Sequence, residues 1–397
     1  MESKSELQET KADMSYIEHI RLLPSMYIGR LGDGSRNDDA IYAMFRGLLC
    51  CITDELRMGL RDRIDINIVD SHTVSMRDYG CGIPYNDMIM KVTNFRYFDE
   101  YRKGIPKRTE GIVCPVIINA LSSSFKICCF RDGVSRIVEF ERGSFVSDTT
   151  EETCIDDGTY ISFTPDEALF GSYCFHAEYI ESMLHDYSCL NSWLTITLNG
   201  ERFCSDDGLK ELLQSRSTAD ADSIIHFKGD DIEIAFTYTD KCGEECYSFV
   251  NGWETRDGGT HLEAFRESFV QVIYEFIPSK NIRRSDIFNG FAGAISIWVE
   301  KPVFVEQMRY ELGSTTMTSY PDSISINDFV VCFVKNRLCS LLKQNSWVRN
   351  MILERVIALA QERKRLRPLD ECYQAYSAWQ IAVRTKGRLR LLSVLNT

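Results

Sequence analysis

The sequence predicts an α+β protein of two domains, each mixing strands with helices. Three observations carry that expectation. Short runs alternate with period two, as in Ile64, Ile66 and Ile68, and lie between segments of helical period, as in Ile41, Phe45, Leu48, Leu49, Ile52 and Leu56. The same mixture starts afresh after about Asp222. A chain of 397 residues, 44% of them apolar, is long enough for two cores.

The elements follow in order. Residues 1–14 show no apolar periodicity and read as an N-terminal arm. A short helix from Ser15 to Leu23 stops at Pro24, which cannot continue it. Asp38-Asp39 then reads as the cap of the helix carrying Ile41 to Leu56, with Gly59 as its stop. Two strands come next, the second (Val74, Met76) running into Asp78-Tyr79-Gly80-Cys81-Gly82-Ile83-Pro84. Residues 85–111 read as irregular. A helix at about Val113 to Leu121 accepts Pro115 only in its first turn. The strands FKICCF, SRIVEFE and TYISFTP follow, with turns at Asp132-Gly133 and Asp157-Gly158, then a helix from His176 to Asp186 and the strand LTITL. This gives a first domain over 15–221. The second, over 222–367, holds the strands IIHF, DIEIAFTY, CYSFVNG and GAISIWVE, a helix from Thr260 to Phe276, and two long closing helices, Ile326 to Leu342 and Trp347 to Arg365. Residues 368–397 form a basic tail.

Composition excludes several classes. A net charge of −13 argues against a generic nucleic-acid coat, although eight basic residues from Arg363 onward face only Asp370 and Glu371. That end fits either a DNA-proximal segment or a solvated helix. No apolar run approaches the roughly 18 residues of a membrane span, and the first residues are polar rather than signal-like. With 15 cysteines and no export signal, reduced thiols in a cytoplasm are expected. Cys242 and Cys246 have no second Cys/His pair at zinc spacing, so they read as scattered thiols.

The sharpest chemical feature is Asp78-x-Gly80-x-Gly82 at a strand end. A carboxylate there, with glycines that let a ligand approach the backbone, suits acceptance of a hydrogen bond from an exocyclic amine. A tight turn capped by an aspartate has the same pattern.

Longer segments change the weight of the two. YIEHIRLLPSMYIGRLGDGS, DDAIY leading to TDELRMG, MRDYGCGIP, NALSSSF, DDGTYISFTPDEALF, YSFVNGWETRDGGTHLEAFRESF and KPVFVEQMRYELGS occur in that order over roughly residues 15–365. Together they resemble the N-terminal part of type IIA DNA topoisomerase B subunits, the family that holds the B subunits of gyrase and of topoisomerase IV, and are closer to the latter. The resemblance implies a GHKL-type ATPase sandwich followed by a transducer domain of ribosomal S5-like fold. It also implies ATP and Mg²⁺ as ligands, a homodimer gating DNA passage, and an A subunit or a TOPRIM-bearing chain as partner. The family's acidic Glu-Gly-Asp-Ser segment, the signature of its TOPRIM domain, does not occur in the sequence.

Carried over residue by residue, the resemblance assigns adenine recognition to Asp78, with Gly80 and Gly82, and a supporting role to Thr159. Glu55, Ile83 and Pro84 line the same pocket. Gln307 and Arg309 fall on the transducer's phosphate-contacting loop, with Arg309 where the family has Lys. The helix bearing Asp54-Glu55 departs from the family. Its water-activating Glu falls on Gly47, and its Mg²⁺-holding Asn falls on Cys51. Gly47, Cys51 and Glu55 share one helix face, but glycine has no base and a thiol is a poor partner for Mg²⁺. The nucleotide lid reads Thr109-Glu110-Gly111-Ile112-Val113-Cys114, with a single glycine and a carboxylate where a phosphate cradle is required. The family's Arg in the glycine turn is Cys81. Hydrolysis is therefore expected to be impaired, with nucleotide binding weak or absent. Gly47 reads as a helix defect of about 1 kcal/mol with no visible compensation. His261 reads as a helix-capping residue.

Overall fold

The computed structural model describes residues 15–59, 62–96, 113–277, 281–306, 309–320 and 322–365. The arm, most of the lid segment, Gln307 and the basic tail lie outside them.

Helix α1 (Tyr16–Leu22) starts with a capping box: the Ser15 hydroxyl accepts the Glu18 N–H at 3.3 Å, and the Glu18 carboxylate accepts the Ser15 N–H at 2.8 Å. Its Arg21 donates to Asp166 at 2.6 Å and to the Ala120 carbonyl at 2.8 Å. The long helix α2 (Ala40–Gly59) buries Met44, Phe45, Leu48, Leu49, Ile52 and Leu56. Asp39 does not cap it as expected. Its carboxylate turns back to accept the Gly34 and Arg36 N–H groups, at 3.0 and 3.1 Å, because the preceding loop points those donors inward. A side chain at Gly32 would collide with that carboxylate, its Cβ falling 1.9 Å from Asp39 Oδ1.

Strands β1 (Arg63–Val69) and β2 (Thr73–Asp78) pair antiparallel, with Ile66 opposite Met76 and Ile68 opposite Val74. A helix α3 (Met88–Thr93) lies where an irregular segment was expected. Helix α4 (Pro115–Leu121) is fully buried and leads directly into β3 (Ser122–Arg131). β4 (Val134–Glu141), β5 (Ser144–Glu152) and β6 (Gly158–Pro165) follow, then α5 (Ala177–Leu190), β7 (Thr195–Leu198), β8 (Glu201–Phe203) and α6 (Leu209–Arg216). The eight strands make one mixed sheet in the order β5-β4-β3-β6-β2-β1-β7-β8, in which β1 and β7 run parallel. The register sets Ile127 against Ile161 and Phe125 against Phe163 at the sheet centre, all in one apolar cluster with α2 and α4.

A second sheet, in the order β12-β11-β14-β10-β9, joins β9 (Ile225–Lys228), β10 (Ile232–Tyr238), β11 (Glu244–Val250), β12 (Trp253–Glu254) and β14 (Phe291–Ile297). The two-residue strands β13 (Gly258–Gly259) and β15 (Glu311–Leu312) pair parallel. Helices α7 (Thr260–Phe276), α8 (Ile326–Gln344) and α9 (346–365) complete the described chain. The α+β expectation holds.

The chain divides into two compact units. The first runs to Thr237 and adds Tyr247–Leu262 and Gly293–Ile326; the second holds Tyr238–Cys246, Glu263–Ala292 and the chain from Asn327. The sheets change over between Phe203 and Ile225, around the 221/222 division expected from sequence, whereas the first unit continues to Thr237. Within the second unit Phe269 and Phe288 pack on Phe291 with ring centroids 5.0 and 5.1 Å apart, and Arg363 grips Asp286 through two hydrogen bonds of 2.7 and 2.8 Å.

Candidate functional site

Asp78 closes β2 and is 2% exposed. One carboxylate oxygen, Oδ1, accepts the Gly80 N–H at 2.8 Å and the Thr159 N–H at 3.1 Å. The other, Oδ2, is buried and accepts from no described residue. A buried carboxylate oxygen left open costs free energy unless a donor arrives, so Oδ2 is an acceptor suited to an incoming N–H or O–H. Burial pushes the Asp78 carboxyl up to about 6; the Glu55 charge adds to this, and the two backbone donors oppose it.

The backbone around Asp78 requires glycine. Gly158 brings β6 so close that a Cβ would lie 2.2 Å from the Asp78 carbonyl. Gly82 sits at φ +71°, and a Cβ there would lie 2.8 Å from the Cys129 sulfur and 2.9 Å from the Phe130 carbonyl oxygen. Cys129 in turn donates to the Ile83 carbonyl at 2.9 Å. Of the residues expected to line the pocket, Ile83 is buried and Pro84 exposed. Glu55 is ion-paired with Lys91, a buried residue of α3 that sequence reasoning missed. A lysine between Met90 and Val92 was the available signal, obscured because the segment looked irregular.

The other end of the helix face is built differently. At Gly47 an added Cβ would lie 2.3 Å from the Val113 carbonyl oxygen and 2.7 Å from the Val113 Cβ. The glycine is therefore not an uncompensated defect: it admits the segment leading into α4 against the helix. Val113 is 1% exposed, Cys51 and Cys114 each 7%, and Val116 and Ile117 are buried beside them. No oxygen donor stands at Cys51, and the residues present do not fit Mg²⁺. Arg309 has a left-handed backbone and its guanidinium lies over the rings of Trp253 and Phe304, 5.8 and 5.4 Å from their centroids. Cys81 is exposed.

His261 is not a cap. It is wholly buried, Thr255 Oγ1 lies 3.3 Å from its Nε2, and burial holds the ring neutral, its pKa lowered to about 3. Cys242 is exposed and Cys246 half-buried, and no third metal-binding donor clusters with them among the described residues.

Comparison with known proteins places these observations. A family model described as DNA gyrase B matches residues 201–371. The chain is 35% identical over 305 residues to the B subunit of DNA topoisomerase 4 from Borreliella burgdorferi, covering 76% of this chain and 51% of that protein. The chain belongs to the type IIA topoisomerase B subunits, in their N-terminal region.

The B subunit of DNA gyrase from Haloferax volcanii is 26% identical over 400 residues, covering 91% of this chain and 60% of that one. The chain thus spans between half and three-fifths of the length of these two relatives. Among solved structures, the 43K ATPase domain of Thermus thermophilus gyrase B superposes with a TM-score of 0.70 at 21% identity, over 90% of this chain and 98% of that domain. The ATPase region of Saccharomyces cerevisiae topoisomerase II superposes with a TM-score of 0.63 at 19% identity, over 88% of this chain and 98% of that one. Both likenesses establish the fold. Among the described residues no helix is long and apolar enough to cross a membrane.

Proposed function

We propose that this chain is the ATPase and transducer portion of a protein like the topoisomerase IV B subunit, one that still recognises adenine and has lost ATP hydrolysis. The observation that carries the reading is the contact at Gly47. The position where the family places its water-activating carboxylate has no room for any side chain, because Val113 occupies it. The second requirement, an oxygen donor for Mg²⁺, is not met, because a buried thiol stands at Cys51. The open Oδ2 of Asp78 supports retention of the purine end.

In this reading the nucleobase amine donates to Asp78 Oδ2, while the Gly80 and Thr159 N–H groups hold Oδ1 and fix the carboxylate plane. No residue in the described site accepts a proton from water at the phosphate end, so bound nucleotide is held rather than cut. Loss of a general base alone lowers the rate on the order of 10²–10⁴-fold. The protein acts in the cytoplasm, as a homodimer or with an A subunit or TOPRIM-bearing chain, and meets DNA through that complex. The Val113 contact also favours a second reading, a pseudo-ATPase partner or regulator of an intact type II topoisomerase.

Phosphate release from ATP with Mg²⁺, measured on purified protein, is the test, with adenosine binding measured in parallel. We expect adenosine binding and no turnover above background; turnover at the rate of an active family member would overturn the proposal. Adding the chain to an intact topoisomerase separates the readings, since only the regulator alters that enzyme's relaxation rate.

A further inference from the structure

Helix α5 and helix α6 carry a second cluster of chemical groups, far in sequence from the adenine pocket. His185 and Cys189 are four residues apart and share one face of α5. Glu211, in the first turn of α6, comes up against them. The His185 ring, the Cys189 sulfur and a Glu211 carboxylate oxygen all lie within 4.8 Å of one another. His185 Nε2 and Glu211 Oε1 are 3.8 Å apart.

His185 and Glu211 are each held by a neighbour on the far side. His185 Nδ1 faces Asp186 Oδ1 at 3.5 Å, and Asp186 is itself anchored by Arg216 at 2.6 Å. The Ser205 hydroxyl donates to Glu211 Oε2 at 2.6 Å and accepts the Gly208 N–H at 2.9 Å, which leaves Oε1 turned toward the histidine. Cys189 is 1% exposed, so its sulfur is fixed by packing. An imidazole whose other nitrogen meets a carboxylate, with a ligating carboxylate itself hydrogen-bonded, is the arrangement that orients metal ligands.

We propose that His185 Nε2, Cys189 Sγ and Glu211 Oε1 form a Zn²⁺ site, with a water in the fourth position. Mixed nitrogen, sulfur and oxygen donors select Zn²⁺ over Mg²⁺ or Ca²⁺. Tetrahedral bonds of about 2.0–2.3 Å need donors roughly 3.3–3.8 Å apart. His185 and Glu211, with side chains 36% and 38% exposed, are free to close the remaining distance. On binding, the Cys189 S–H bond breaks and the S–Zn bond forms, the proton passing to solvent. The ion then ties α5 to α6. This inference does not depend on the nucleotide reading.

Co²⁺ titrated into the chelator-treated full chain is the probe. We expect intense tetrahedral visible bands and a thiolate-to-metal band, saturating at one ion per chain and erased by Zn²⁺. His185→Gln and Glu211→Gln, at partly exposed positions, are each expected to weaken binding at least about tenfold. Cys189→Ser is expected to remove the thiolate band, with circular dichroism checking that it folds. Absence of the thiolate band in the unaltered chain overturns the site. So does a band of equal affinity in both His185→Gln and Glu211→Gln, which would place the ion on exposed thiols such as Cys204 or Cys242. Those two variants decide the matter even if Cys189→Ser does not fold.

Discussion

Asp78 couples the proposed purine site to pH. Its carboxyl titrates near 6 in the folded protein, against about 4 in an unfolded chain. Between those values the folded state holds the proton more tightly, so this residue's contribution to stability falls as pH rises from about 4 to about 6 and is constant above. Asp78→Asn removes the titration. Denaturation of the variant and the parent across that range should show the difference growing in the variant's favour up to pH 6, by at most about 3 kcal/mol. Parallel curves would show that the carboxyl is not perturbed. The same variant replaces the open acceptor with a poorer partner for an adenine amine and should bind adenosine more weakly by about 1–3 kcal/mol. Gly47 makes a prediction of opposite sign to propensity. In an exposed helix Gly→Ala gains about 1 kcal/mol, but here the new methyl meets the Val113 carbonyl at 2.3 Å. Gly47→Ala should therefore lower the denaturation midpoint, by an overpacking cost of about 1–3 kcal/mol. Gly47→Glu, the change that would restore the family's base, meets the same obstacle.

Helices and strands differ in how plainly the sequence announced them, and the reason is burial. Helix α2 was legible because Phe45, Leu48, Ile52 and Leu56 repeat at helical spacing over a fully buried face. Strands β1 and β2 were legible because Ile64, Ile66, Val74 and Met76 alternate against it. Strand β5 went unread: it lies at the sheet edge, almost every residue is exposed, and an edge strand carrying Asp148, Glu151 and Glu152 shows no alternation. Helix α3 went unread because six residues give too short a period, and with it went the Lys91–Glu55 pair. In the site itself Asp78 and the glycine turn were legible as a motif, whereas the role of Gly47 was not. Its meaning lies in a contact with Val113, far along the chain, which no local pattern records. The extent of α1 was legible from Ser15 to Pro24, but the reciprocal cap between Ser15 and Glu18 was not read from the sequence. Ser15→Ala should cost about 1 kcal/mol in thermal or chemical denaturation. Because α1 carries Arg21 to the buried Asp166, the loss should appear in global stability rather than as local fraying; an unchanged midpoint would place α1 outside the cooperative unit.

The chain as a whole keeps the fold of the gyrase B ATPase domain structures, and in the proposed reading the two ends of its site have fared differently. Both sheets, their registers and the buried clusters are consistent throughout, which decay would have eroded. Gly47, Cys51, Val113 and Cys114 are packed together in apolar surroundings, and in the proposed reading this packing stands where the family binds phosphate and Mg²⁺. This makes a prediction about the form of the affinity rather than its size. In an ordinary triphosphate site each phosphate adds binding energy through N–H groups and a bound cation, so ATP binds far more tightly than adenosine and depends on Mg²⁺. In the proposed reading the binding energy resides in Asp78 Oδ2 and the glycine turn, which would touch only the base. Adenosine, AMP, ADP and ATP, titrated calorimetrically with and without Mg²⁺, should therefore fall within about tenfold of one another, roughly 1.4 kcal/mol. ATP binding a hundredfold tighter than adenosine, and lost on chelation, would mean that the Val113 segment moves away to admit phosphate, and that the closed contact at Gly47 is one state of a working lid.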